Sequence, residues 1–97
     1  MIIFHPSVRR DLNGILRYYA DEGGENLADR FFDTFMAAAT SAEAHPGRFH
    51  PAAGTVFRRA QIPGFPYHFL FRETPYGIRV SVVRHDKRHP DFGTRRI

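Results

Sequence analysis

Cysteine is absent from the 97-residue chain, so no disulfide staples it and no thiolate metal site can form. Tryptophan is also absent, and lysine occurs once, at Lys87. No apolar run approaches the length that crosses a membrane. The opening Met1-Ile2-Ile3-Phe4-His5 is too short and too uncharged for a signal peptide, and the expectation is a soluble, cytoplasmic protein. No internal repeat or low-complexity segment is visible. Gly23-Gly24 lacks the lysine and the preceding strand of a phosphate-binding loop. Ser7, Ser41 and Ser81 have no triad pattern around them. His85 and His89 are spaced as ligands on a helix, but Pro90 and the basic residues between them argue against a helix, and neighbouring cations would repel a metal. No metal and no small-molecule cofactor is expected.

What is present suits a small folded unit. Hydrophobic residues make up 42% of the chain and aromatics 14%, with ten Phe and four Tyr, which is enough bulk for a core and argues against disorder. The length fits one domain over residues 1–97. Charge is divided unevenly. Residues 1–47 hold four Arg against seven acids, a net −3, whereas residues 48–97 hold nine Arg and Lys87 against three acids, a net +7. Arginine offers a planar fork to phosphate or carboxylate, so the second half points to a polyanionic or acidic partner. The plainer alternative is a solvated basic surface.

Periodicity divides the chain in the same way. Ile2-Ile3-Phe4 reads as a short strand. Pro6 and Ser7 offer a helix start, with Ser7 as a cap. Val8, Leu12, Ile15, Leu16 and Tyr19 form one apolar helical stripe, weakened by Gly14. After the Gly23-Gly24 break, Leu27, Phe31, Phe35, Ala38, Ala39 and Ala42 form a second stripe, widened by Ala28, Phe32 and Met36, over about residues 25–43. The hairpin spans about residues 6–45 and needs a sheet to cover its stripes. Strands are expected over 55–62, 65–72 and 76–85, separated by Pro63-Gly64 and Thr74-Pro75-Tyr76-Gly77, as an antiparallel meander. Phe65, Tyr67, Phe69 and Phe71 alternate against Pro66, His68, Leu70 and Arg72. Ile78, Val80 and Val82 alternate against Arg79, Ser81, Val83 and His85. The expected class is α+β, in the order β-α-α-β-β-β. The helices cover one sheet face, the Arg and His side chains occupy the other face or its rim, and residues 86–97 form a basic tail.

Three local patterns carry a resemblance. They are Val8-x-x-Asp11-Leu12-x-x-Ile15-x-x-Tyr18, then Arg58-Arg59 with Phe65-Pro66-Tyr67, and Val82-Val83-Arg84-His85-Asp86-Lys87-Arg88-His89-Pro90 with Arg95 behind it. In this order the chain resembles the RelE/ParE family of toxins from type II toxin–antitoxin systems, also known as plasmid stabilisation proteins. The resemblance implies a growth inhibitor silenced by a small acidic antitoxin that folds over it. ParE-like members are said to poison DNA gyrase. RelE-like members cut messenger RNA, typically on the ribosome.

Metal-independent RNA cleavage needs a base for the 2′-OH, an acid for the leaving 5′-oxygen and cations around the phosphate. The candidates are His85 as acid or base and Arg58, Arg59, Arg84 and Arg88 as clamps. Against this, His85 could simply tie the strand end to the tail. No second acid/base group is evident, His85 is followed by Asp86, and Phe92 stands in the tail where ribonuclease relatives often carry Tyr. The reading therefore favours a ParE-like gyrase inhibitor, with the RelE-like endoribonuclease as the alternative and an inactive or accessory nucleic-acid binder as a third. Residues expected to meet target or antitoxin are Arg58, Arg59, Arg84, His85, Lys87, Arg88, Arg95 and Arg96.

Overall fold

A computed structural model describes residues 1–96. The elements are β1 (Ile2–Phe4), α1 (Val8–Gly23), α2 (Glu25–Ala44), a 3-10 turn (Pro46–Arg48), β2 (Arg58–Gln61), β3 (Tyr67–Thr74) and β4 (Gly77–His85). This is the expected β-α-α-β-β-β order, folded as one mixed sheet of order β1-β4-β3-β2. The last three strands form the antiparallel meander, and β1 runs parallel to β4.

The helical stripes behave as their spacing dictates. Val8, Ile15 and Tyr19 from α1 and Phe31, Phe35, Ala39 and Ala42 from α2 are buried against Phe69, Phe71, Ile78, Val80 and Val83 of the sheet. Each fully buried Phe contributes about 1.5–3 kcal/mol relative to exposure. Two expected details differ. Phe32 is 40% exposed, because the second stripe is narrower than its apolar residues suggested. Ser7 precedes α1 without a side-chain capping bond, and its own N–H instead donates to His5 Nδ1 at 3.1 Å. Gly24 sits at φ +82°, a left-handed backbone that lets the chain reverse between the helices.

The sheet departs from simple alternation in three places. β2 begins at Arg58 rather than 55, because Thr55 Oγ1 donates to Ala52 O and accepts from Phe57 N–H, holding that stretch in a turn. β4 carries a bulge at Ser81: Leu70 pairs with Val82, while Phe71 pairs with Val80. The extra residue reverses the faces downstream, so Val83 and His85 point to the helices, while Val82 and Arg84 point away. The second face is not left to solvent either. Phe57, Leu70 and Val82 are buried there beneath Ala52 and Phe92, so the tail folds back as a cover. That is why β3 reads as a continuous buried run from His68 to Phe71.

Candidate functional site

β1 pairs with β4 only through residues 78–80, which leaves the β4 edge open beyond Val80. Open edges need partners. Asp11, one turn into α1, accepts from Val83 N–H at 3.1 Å. Arg96 donates to both Asp11 carboxylate oxygens, at 2.6 and 3.2 Å, and to Ser81 O at 3.2 Å. This pair is largely shielded, with side chains 6% and 17% exposed. It pins the tail to α1 across the strand edge. Between these anchors Phe92 carries Arg88 at 3.9 Å and Arg96 at 5.2 Å from its ring centroid.

The second face holds a polar chain inside the apolar cover. His68 and Arg84 are cross-strand partners and both are buried. Arg84 Nε donates to His68 Nε2 at 2.9 Å. Its Nη1 donates to the carbonyls of Pro90 and Phe92, both at 2.8 Å. With Nε2 accepting, the His68 proton resides on Nδ1, which donates to Asp86 Oδ1 at 2.8 Å. Burial holds the His68 imidazole below its ordinary pKa, and the Arg59 and Arg84 charges add to this against the opposing Asp86 hydrogen bond. His68 is therefore neutral. For Asp86, burial pushes its carboxyl up, but hydrogen bonds from His68 and Gln61 and the Arg59 charge outweigh this and leave it below the usual carboxylate range. Gln61 reaches Asp86 at 2.9 Å and Arg59 at 3.4 Å. Asp86 is thus held by His68, Gln61 and Arg59.

His85 sits on the opposite face. Its ring meets Tyr67 edge-on at 5.0 Å between centroids. Its Nδ1 accepts from Lys87 N–H at 3.0 Å, which leaves the proton of the neutral ring on Nε2. The ring thus presents a donor rather than a base. Tyr67 stays protonated, since burial raises its phenol pKa. A cleft of about 300 Å³ opens here between the Gly14–Tyr18 stretch of α1 and the end of β4. Ile15, Tyr67 and Val83 line it, with Tyr18, His85 and Arg88 among its polar members.

Of the candidate residues, Arg84, His85 and Arg88 line this cleft, whereas Arg58 and Arg59 lie elsewhere. Arg58 faces the helices beside Phe71, donates to Phe49 O at 2.7 Å and pairs with Glu73 at 3.8 Å. Tyr67, the cross-strand partner of His85, lies four residues along β3 from Phe71, about 13 Å at strand spacing. Arg59 is on the other face, tied to Asp86. Arg84 is buried beneath the tail and Arg96 is paired with Asp11. Lys87, Arg88 and Arg95 remain exposed. His89 resembles His85 in accepting a backbone N–H two residues on, and among the described residues no cluster of three or more His, Asp or Glu is placed to hold a metal. Likewise, no described helix is long and apolar enough to cross a membrane.

His68 and Asp86 were not singled out from sequence as organising residues. A usable signal was a His inside an otherwise apolar strand, with Arg84 and Asp86 two apart near its partner position. Asp11 and Tyr18 of the first motif share the helix side that faces the β4 end, seven residues apart.

The family profile described as the ParE toxin of the type II toxin–antitoxin system parDE matches residues 2–90. A search of curated proteins finds no match.

Proposed function

Because the chain belongs to the ParE toxin family of type II toxin–antitoxin systems, we propose that it stops growth by binding DNA gyrase rather than by cutting RNA, and that a cognate acidic antitoxin neutralises it. The observation that carries this reading is the hydrogen bonding of the two imidazoles nearest the strand ends. His68 Nε2 is taken by Arg84, and His85 Nδ1 by Lys87 N–H. Neither offers a free basic nitrogen to a 2′-OH. Most of the arginines that would clamp a scissile phosphate are spent on carbonyls and carboxylates of the same chain. Of the described tail cations, those left for a partner are Lys87, Arg88 and Arg95 on its outer side. In this reading the toxin works by occupying its target, and these three side chains make the contact.

The ribonuclease reading keeps one supporting feature, the cleft that gathers Tyr18, Tyr67, His85 and Arg88. There His85 Nε2–H would hydrogen-bond the leaving 5′-oxygen while Arg88 neutralises the phosphate. The two readings part in a purified assay. Chain added to gyrase and supercoiled plasmid is expected to accumulate cleaved plasmid, with Lys87→Glu and Arg88→Glu reducing it. Unaltered gyrase activity together with cleavage of an added message would reverse the assignment.

A further inference from the structure

Both ring nitrogens of His68 are in use, and only the neutral ring can serve both. The side chain is 1% exposed on β3. Its Nδ1–H donates to Asp86 Oδ1 at 2.8 Å, and its Nε2 accepts from Arg84 Nε–H at 2.9 Å. A protonated imidazole has two donors and no acceptor. The Asp86 bond survives a second proton, but Arg84 Nε–H then faces another N–H in a buried site. The charges around the ring sharpen this conflict. Arg59 acts on it from β2, Arg84 from β4 and Asp86 from the turn after β4, while Asp91 in the tail acts on Arg84. A proton on His68 makes a third cation beside the single carboxylate of Asp86. Asp86 itself is held by Gln61 and Arg59, so Arg84 is the member that must give way.

Arg84 is also what holds the tail at this point. Its Nη1 donates to the Pro90 and Phe92 carbonyls, both at 2.8 Å. Phe92 in turn covers Phe57, Leu70 and Val82. One guanidinium therefore ties the imidazole to the cover of the second core. The anchor of Arg96 on Asp11 is a separate bond. Loss of the Arg84 bonds leaves the 87–92 segment held at its two ends, by β4 and by Arg96, and free to bow outward between them.

We propose that His68 is an acid-sensitive latch: a proton on Nε2 drives Arg84 off the Pro90 and Phe92 carbonyls, the 87–92 segment lifts, and the apolar face of Phe57, Leu70 and Val82 opens to solvent. Two packings of one segment, separated by one proton, make a switch. The burial that holds the imidazole below its ordinary pKa puts the working range on the acid side of 6.5. Below that value the open form gains up to about tenfold in population per pH unit, until the closed form also binds the proton. The latch is a property of the fold and holds whichever target the chain meets.

The test is amide hydrogen exchange of the full chain, read by mass spectrometry at about pH 7.5 and about pH 5 and corrected for intrinsic rates. The peptide carrying the Arg88 and Phe92 amides is expected to exchange at least about tenfold faster at the acid pH, while peptides of α1 and α2 keep their protection. His68→Gln, which offers Arg84 an acceptor that takes no charge, keeps the segment protected at both pH values. Arg84→Met, which removes the latch, exchanges fast at both. His5→Gln leaves the parent step in place. The nitrogen chemical shifts of the His68 ring need no variant: in the parent, its protonation coincides with the exchange step. An equal step in His68→Gln, a step surviving in Arg84→Met or lost in His5→Gln, parent exchange that does not change with pH, helix protection lost at the same pH, or a His68 ring that stays neutral through the step would each overturn the proposal.

Discussion

Replacing Arg96 by alanine removes the guanidinium that neutralises Asp11, and it should cost far more than an exposed tail residue would. Among the described residues, Asp11 is then left with a single donor, Val83 N–H, in a site that exposes only 6% of its side chain. Breaking one side of a buried ion pair typically costs about 3–5 kcal/mol. Here the tail can lift and admit water, so about 3 kcal/mol is the expected value. Phe92 also loses one of its two covering cations, adding about 0.5 kcal/mol. For a chain of this size, each kcal/mol is worth roughly 4–8 °C, so Arg96→Ala should melt at least about 12 °C below the parent. Asp11→Ala should cost less, about 1–2 kcal/mol, because Arg96 keeps Ser81 O and can turn toward water. The double variant should then be more stable than the sum of the singles implies, by about 2 kcal/mol. Urea unfolding followed by far-ultraviolet circular dichroism on the four proteins gives the cycle. If the two costs add to within about 0.5 kcal/mol in the double variant, the pair does not clamp the tail and the edge-closing argument is wrong.

Further outcomes follow from the same contacts. Gly14→Ala should stabilise the chain by about 0.5–1 kcal/mol, since helix propensity improves and nothing is displaced; a lower melting temperature would show that the site has a packing constraint. Gly93→Ala should destabilise by about 1–3 kcal/mol, because Gly93 has φ +78° and a Cβ there runs into Val82; an unchanged melt would mean that the tail is not packed on the sheet. For pH, the folded state keeps His68 neutral below its ordinary value of 6.5. The unfolded chain then binds the extra proton, so stability is present above that pH and is lost as pH falls, by at most about 1.4 kcal/mol per pH unit for this group. His5 is also held low, by burial and then by Arg79 and Arg96, and contributes with the same sign. His68→Gln should therefore flatten, without abolishing, the loss of stability between pH 6.5 and pH 5; identical slopes in parent and variant would remove His68 from the account.

The helical half was legible because its spacing carries one instruction per residue. The stripes from Val8 to Tyr19 and from Leu27 to Ala42 can be satisfied only by a sheet on one side. The turns at Gly24 and at Pro75–Tyr76 were equally plain. The sheet was less legible, for local reasons. Ser81 adds one residue opposite the Leu70–Phe71 step, and nothing in the run Ile78–His85 announces where an alternation will slip. One slip sends Val82 and Arg84 to the far face and brings His85 toward the helices. The sequence marks the tail only as basic, because cations dominate its composition. Its fold depends on a partner 85 residues away, Asp11, which no local pattern can name. For the same reason Arg58, Arg59, Arg84 and Arg96, alike as a charge count, separate into four different internal bonds. Removing the tail after Pro90 is thus a poor test of target contact: it also strips Phe92 from the second core and orphans Asp11. Charge reversals at Lys87, Arg88 and Arg95 are the cleaner perturbations.

The central claim, a toxin that inhibits by binding and not by cutting RNA, is tested most directly in cells. The chain is induced briefly without antitoxin, alongside His85→Ala, and the 5′ ends of messenger RNA are mapped while DNA breaks are counted. The account predicts growth arrest with messages intact, breaks accumulating, and His85→Ala as toxic as the parent. New message ends within minutes, lost in His85→Ala, would contradict it and make His85 catalytic.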